Sequence, residues 1–281
     1  MVEETRWTHT SEWQTPEYRC IHTGKLRCGV LVMVRRRLCH ANFLKHHTEI
    51  PGRLLHVRFW LAPKRTQAVD VVACYQHAWH SGRQDVLDAR DVFWTRLLQC
   101  LRKLPARNLL LLGGDFNSAL LPEDPIVGPC CPKASASQAP DKTEFLNILR
   151  TCHLQALNTY RSPRRGGAPV HTYQWGTHTS QIDFLILRQC QATPTARRAQ
   201  VWSEFPIGRA GDGAFHMPVW AFIPLRRPPW NAHCQQRRSP PGDVDLLALR
   251  RDLAMKSAPA RLVDLRTRVQ DRLTAGEECL A

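Results

Sequence analysis

Residues 1–225 alternate short apolar or β-branched runs with turn-rich segments. The runs are Gly29–Val34, Leu54–Leu61, Ala68–Tyr75, Asn108–Leu112, Ser180–Leu187, Val201–Phe205 and Val219–Phe222. Several are nearly continuous in apolar residues, as strands covered on both faces are. Between Asp85 and Leu104 the period changes. Val86, Phe93, Leu97, Leu101 and Leu104 recur at helical spacing, with Asp88, Asp91, Arg96, Arg102 and Lys103 on the remaining arc. Pro105 closes this helix. A second helix is predicted over Lys142–Cys152, with Phe145, Leu146 and Leu149 as its buried stripe and Asp141 as its N-cap. Leu121–Pro140, rich in Pro, Ser, Ala and Cys, reads as a long surface loop. These elements form one α/β domain over 1–225. A basic, proline-rich linker follows over 226–242, then an arginine-rich helical tail over 243–281.

Composition narrows the partners. The chain has 281 residues, 43% hydrophobic and 22% charged, so wholesale disorder is excluded and a large core is within reach. Its net charge of +15 favours a polyanionic partner, either nucleic acid or an anionic surface. The 11 cysteines include no CxxC pair, so neither a zinc spacing nor a disulfide framework is implied. No stretch reaches the roughly 20 apolar residues that cross a bilayer. The N-terminal Met1–Trp7 is charged and has no signal-peptide core. An intracellular protein with no membrane partner and no implied oligomer is expected.

Candidate chemistry lies at the ends of the apolar runs. In Leu109–Asn117 a buried strand meets two glycines and then Asp115 and Asn117, whose i, i+2 spacing turns both side chains to one face. A carboxylate beside an amide at a strand mouth suits Mg²⁺ and phosphate, although a turn after a core strand would look similar. Asp183 interrupts the apolar run Ser180–Leu187, a costly position unless the carboxylate is paired or faces solvent. His216 precedes the apolar Met217–Val219, where an imidazole can serve acid–base chemistry or merely pack. Glu4 near the terminus and Tyr75 at a strand end carry little weight individually.

Their order carries more. Glu4-Thr5, a strand ending in Tyr75, Gly114-Asp115-Phe116-Asn117, Gln181-Ile182-Asp183-Phe184 and His216-Met217-Pro218-Val219 together resemble the endonuclease/exonuclease/phosphatase superfamily, the DNase I-like fold, across about residues 1–225. Tyr75-Gln76-His77 and the arginine-rich tail look most like non-LTR retrotransposon endonucleases. The resemblance implies a four-layer α/β sandwich of two mixed sheets flanked by helices. It implies that Glu4 binds a catalytic Mg²⁺ (or Mn²⁺), that Tyr75 lies near the scissile phosphate and that Asp115 orients or deprotonates the attacking water. Asn117 would hold a phosphate oxygen, and Asp183 would orient His216, which contacts the phosphate. The implied activity is DNA nicking, in the nucleus if the chain serves a retroelement, with a reverse transcriptase from the same element as a further partner.

The chain departs from the family pattern twice. The family's first strand, with its Asn, has no counterpart before Glu4, which implies an N-terminally truncated domain. Phe215 stands where the family has an Asp before the His, and Asp212 would replace that carboxylate at the metal if a bulge around Gly211 and Gly213 brought it back. A catalytically inactive nucleic-acid-binding remnant, and a phosphatase or lipid phosphodiesterase of the same fold, are the alternatives.

Overall fold

The computed structural model describes residues 1–39, 43–61, 67–131, 141–160, 171–202, 207–208 and 213–225. The linker over 226–242, the tail over 243–281 and Asp212 lie outside the described residues.

In chain order the first strands are β1 (Val2–Glu3), β2 (Ser11–Gln14), β3 (Tyr18–Lys25), β4 (Cys28–Arg35), β5 (Leu44–Ile50), β6 (Leu54–Trp60) and β7 (Ala68–Tyr75). Helix α1 (Gln84–Lys103), β8 (Leu109–Asp115), α2 (Lys142–Thr151) and β9 (Leu154–Ala156) follow. Then come β10 (Tyr173–Trp175), β11 (His178–Ser180), β12 (Asp183–Arg188), β13 (Gln200–Val201), β14 (Ile207–Gly208), β15 (Ala214–His216) and β16 (Val219–Trp220).

A six-stranded sheet of order β5-β6-β7-β8-β12-β9 is the centre of the molecule. It is mixed: β7 and β8 run parallel because α1 crosses between them, and its other pairs are antiparallel. A four-stranded sheet, β1-β4-β3-β2, packs on one face. The resemblance implies two mixed sheets, but this smaller one is antiparallel throughout, since its long strands β3 and β4 form a hairpin. Helices α1 and α2 pack on the opposite face of the large sheet. A helical layer outside the smaller sheet is not among the described residues.

Each face of the large sheet has its own core. Val69, Val71 and Ala73 face Val30, Val32 and Val34 of the smaller sheet. Val72 and Cys74, on the opposite face of the same strand, pack with Phe93, Leu97 and Phe145 from the helices. All eight residues of β7 are therefore buried, which accounts for a run that is apolar except at Asp70. Helix α1 buries Phe93, Trp94, Leu97, Cys100 and Leu101. The same face also holds Arg90, whose side chain is 0% exposed. Its Nε donates to Asp141 Oδ2 at 2.8 Å. Asp141 therefore does not cap α2 with its side chain. Its carboxylate is drawn instead to Arg90 and Trp94, tying the start of α2 to α1.

The polar strands β2, β3 and β5 escape a reading by apolar pattern. β5 (Leu-Lys-His-His-Thr-Glu-Ile) is an edge strand with three exposed residues in its centre, where charge discourages further pairing. Only Val201 and Trp202 of the expected run Val201–Phe205 are described, and Val201 ends β13. Within Leu121–Pro140, Glu123 and Val127 close a small bridge, and 132–140 lie outside the described residues.

Candidate active site

The site grows from one row across the large sheet. Tyr75 ends β7, Asp115 ends β8 and Asp183 begins the antiparallel β12. Their Cα atoms are register partners, Tyr75 with Asp115 and Asp115 with Asp183. Carboxyl ends of parallel strands are where open α/β sheets place their ligands.

The Gly113-Gly114-Asp115-Phe116-Asn117 segment is fixed from both sides. Gly114 has φ +140°, and a Cβ there would collide with the backbone of Cys74, so only glycine lets β8 lie this close to β7 at its end. Phe116 turns to the helical side, fully buried, with its ring 4.4 Å from Phe145 and near-parallel to it. That anchor leaves the flanking Asp115 and Asn117 on the site side. They meet by a turn and not by strand alternation, because Asn117 is left-handed at φ +44°. Its backbone N–H donates to Asp115 Oδ1 at 2.8 Å. Its side-chain Nδ2 donates to Asp115 Oδ2 at 3.0 Å and to the Gln76 carbonyl at 2.9 Å. In this arrangement the Asn117 amide braces Asp115.

The remaining residues arrive from other layers. Glu4 follows β1 of the smaller sheet with φ +55°, an uncommon conformation that costs on the order of 1–3 kcal/mol and is typical of functional positions. It accepts a hydrogen bond from the Tyr75 hydroxyl. His216 ends β15, and its Nδ1 lies 3.2 Å from each Asp183 oxygen. The structure thus brings Glu4, Tyr75, Asp115, Asn117, Asp183 and His216 together, from positions 4 to 216 of the chain. Asp212 lies outside the described residues, and Phe215 pairs with Gln174 and Gly208 in the small β11-β10-β15-β14 sheet.

Charge crowding perturbs these groups. Burial, joined by the Asp183 carboxylate, pushes the Asp115 carboxyl well above the usual range. Burial alone would lower His216, but its hydrogen bond to Asp183 and the charges of Asp183, Asp115 and Glu4 outweigh it and raise the imidazole to about 9. Burial also keeps the Tyr75 phenol protonated, and the Glu4 carboxylate reinforces this. Glu3, which no motif singled out, is half-buried one residue before Glu4. Burial and Asp183 raise its carboxyl to about 7 against the opposing N-terminal amine and His216. Its only mark in the sequence is adjacency to Glu4, and strand alternation alone does not bury it.

Ligand atoms of Glu4, Asp115 and His216 lie within 4.8 Å of one another. The Glu4 and Asp115 carboxylates in so small a space fit a divalent cation, which would offset the burial and the Asp183 charge that raise Asp115.

No protein-family profile and no curated protein matches the chain. Solved structures do. A 3′ phosphatase, NExo, from Neisseria, a single-substitution variant bound to product DNA hairpin, aligns with TM-score 0.57 at 15% identity, over 79% of this chain and 87% of that one. The 3′–5′ exonuclease NExo from Neisseria meningitidis gives 0.51 at 17%, over 74% and 80%. An AP endonuclease from Archaeoglobus fulgidus gives 0.51 at 13%, over 79% and 87%. With two packed sheets, helices outside the larger one and this similarity over most of its length, the chain has the DNase I-like fold shared by these nucleases and phosphatases.

Proposed function

We propose that the chain is a divalent-metal-dependent phosphodiester hydrolase that nicks DNA, of the kind encoded by non-LTR retrotransposons. The observation that carries this reading is the convergence of Glu4 and His216 on the Tyr75–Asp115–Asp183 row, with three ligand atoms inside 4.8 Å. The DNA held by the Neisseria 3′ phosphatase and the net charge of +15 support nucleic acid as the substrate.

Glu4 and Asp115, with His216 beside them, would hold Mg²⁺ or Mn²⁺. The ion supplies Lewis acidity for the phosphoryl oxygens. Each of the chain's own groups has a part. Asp115, braced by Asn117, would take the proton of the attacking water on a carboxylate oxygen as the water oxygen bonds to phosphorus, the bridging P–O bond breaks and the departing alkoxide takes a proton from solvent. His216, charged and oriented through Nδ1 by Asp183, donates to a phosphoryl oxygen as negative charge develops there. The Tyr75 hydroxyl holds Glu4 in place. For Asn117 to donate to phosphate as well, it must release one of its two present acceptors.

Incubation with supercoiled plasmid and Mg²⁺ tests the reading. We expect open-circular product, absent with EDTA and reduced at least about a hundredfold in Asp115→Ala and His216→Ala. Salt-sensitive DNA binding without cleavage under any metal would instead identify a non-catalytic binder. Turnover of an inositol phosphate without nicking would identify a phosphatase.

A further inference from the structure

Beside Tyr75, on the side away from His216, stands a group of cations that the catalytic reading leaves unused. Arg53 ends the turn into β6, and its carbonyl accepts the Tyr75 N–H at 2.8 Å. Its guanidinium lies 4.3 Å from the centre of the Tyr75 ring. Nη1 donates to the carbonyls of Tyr75 at 3.3 Å and Gln76 at 3.2 Å, and the latter also holds Asn117. Arg53 Nε and Nη2 bond to no group among the described residues, and no carboxylate there pairs with Arg53 or with Lys25.

Lys25, exposed at the end of β3, lies against Gly52, the residue before Arg53. A Cβ on Gly52 would come 3.0 Å from Lys25 Cβ and 2.7 Å from Cys28 Sγ, and its φ of +71° also requires glycine. His77, two residues beyond Tyr75, completes the group. Burial and then the positive charges of Arg53, Arg90 and Lys25 pull its imidazole down to about 4, so it is neutral near pH 7. The Arg53 guanidinium thus stands across Tyr75 from the Asp115 and Asp183 carboxylates.

We propose that Lys25, Arg53 and His77 form a second anion subsite next to Tyr75 that receives a phosphodiester neighbouring the scissile one. A guanidinium already immobilised on a ring and two carbonyls presents its remaining N–H groups with little further loss of freedom, and its planar fork matches phosphate oxygens. Lys25 adds a mobile charge, and neutral His77 has a ring N–H to donate. The inference rests on the hydrolase reading above, since the subsite gains its function from the chemistry at Asp115.

The test uses an oligonucleotide duplex centred on a mapped nick site, with Ca²⁺ replacing Mg²⁺ so that binding is read without turnover. Two further duplexes carry an uncharged methylphosphonate at the phosphodiester on one or the other side of the scissile bond. For the wild-type chain, one of the two should weaken binding about tenfold and lower the slope of log K against log[salt] by about 1. Lys25→Ala and Arg53→Ala should show the same losses on the unmodified duplex and little added sensitivity to that methylphosphonate. Arg53→Lys should keep the slope but bind more weakly. Arg96→Ala, on the solvent face of α1, should behave as wild type. The proposal is overturned if wild type is insensitive to both methylphosphonates, or if Lys25→Ala and Arg53→Ala remain fully sensitive. Should Arg53→Ala fail to fold, Lys25→Ala and the modified duplexes decide the question. A wild-type chain that neither nicks nor binds in a salt-dependent way overturns the hydrolase reading and the subsite together, whereas nicking with an unaltered slope removes only the subsite.

Discussion

At the residue scale, Asp183 would act in the proposed reaction through His216 and not on the substrate itself. It faces His216 at 3.2 Å and is the main force holding that imidazole at about 9 against burial. A protonated His216 is the useful form in the proposed reaction, so activity should fall as pH rises through the value His216 has in the folded chain. Asp183→Asn removes the charge and keeps the shape, which lowers the His216 value. The basic limb of the pH–rate profile should therefore move to lower pH, with a kcat loss of roughly 10²-fold or more near neutrality. Plasmid nicking across pH 6–10 measures both, and an unmoved basic limb would detach Asp183 from His216. Asp115, Asp183 and His216 stood out in the sequence by type and place, and the fold sets them side by side. Glu3 and Arg53 did not stand out, because an acid near the start and an arginine in a turn are ordinary surface residues until burial and neighbours are known.

At the element scale, two buried charges hold strands and helices in register. Arg90 joins α1 to α2 through Asp141 and to the loop after β7 through the His77 carbonyl. Removing one partner of a buried pair leaves the other uncompensated, so Arg90→Ala should cost about 3–5 kcal/mol in urea unfolding. A loss below about 1 kcal/mol would show that α1 and α2 do not depend on the pair. On the same face of the sheet, Asp70 is fully enclosed and bonds His56 Nε2 at 2.7 Å, Arg58 Nε at 2.6 Å and Asn108 Nδ2 at 2.7 Å. Burial opposes ionisation, yet these three partners win and hold Asp70 below its ordinary 3.8. A carboxyl depressed on folding stabilises the fold above its unfolded value and loses that contribution as pH falls through the folded one. Asp70→Asn should thus be less stable by about 1–3 kcal/mol at pH 7. That deficit should close below pH 3.8, read from urea midpoints as a function of pH. A gap constant across that range contradicts the assignment. The apolar runs of β4, β6 and β7 and the period of α1 made those elements legible. β2, β3 and β5 were not, because a polar edge or outer strand needs apolar residues on one face at most.

For the whole molecule, the site is assembled where two sheets meet, so a cation bound there should stabilise the fold and not only the chemistry. At a metal concentration about 100 times its dissociation constant the gain is roughly 2.7 kcal/mol. Thermal unfolding with and without Mg²⁺ should show this as a raised Tm in the wild-type chain. The shift should be lost in Glu4→Gln and much reduced in Asp115→Asn. Equal shifts in all three proteins would place the cation elsewhere.

The sequence by itself determined the fold class, the buried central strand, both helices and the residue types able to bind metal and phosphate, because apolar periodicity and local motifs are encoded within a few positions. Only the tertiary structure decided which of those residues share a site. Cross-strand register, a left-handed turn at Asn117 and the stacking of one sheet on another bring distant positions to within hydrogen-bond reach, and none of these is a local property of the chain. The same contacts decided that Asp141 pairs with Arg90, that Glu3 is half-buried and that Arg53 lies against Tyr75. Each depends on what another layer presents, and the order of residues along the chain does not record it.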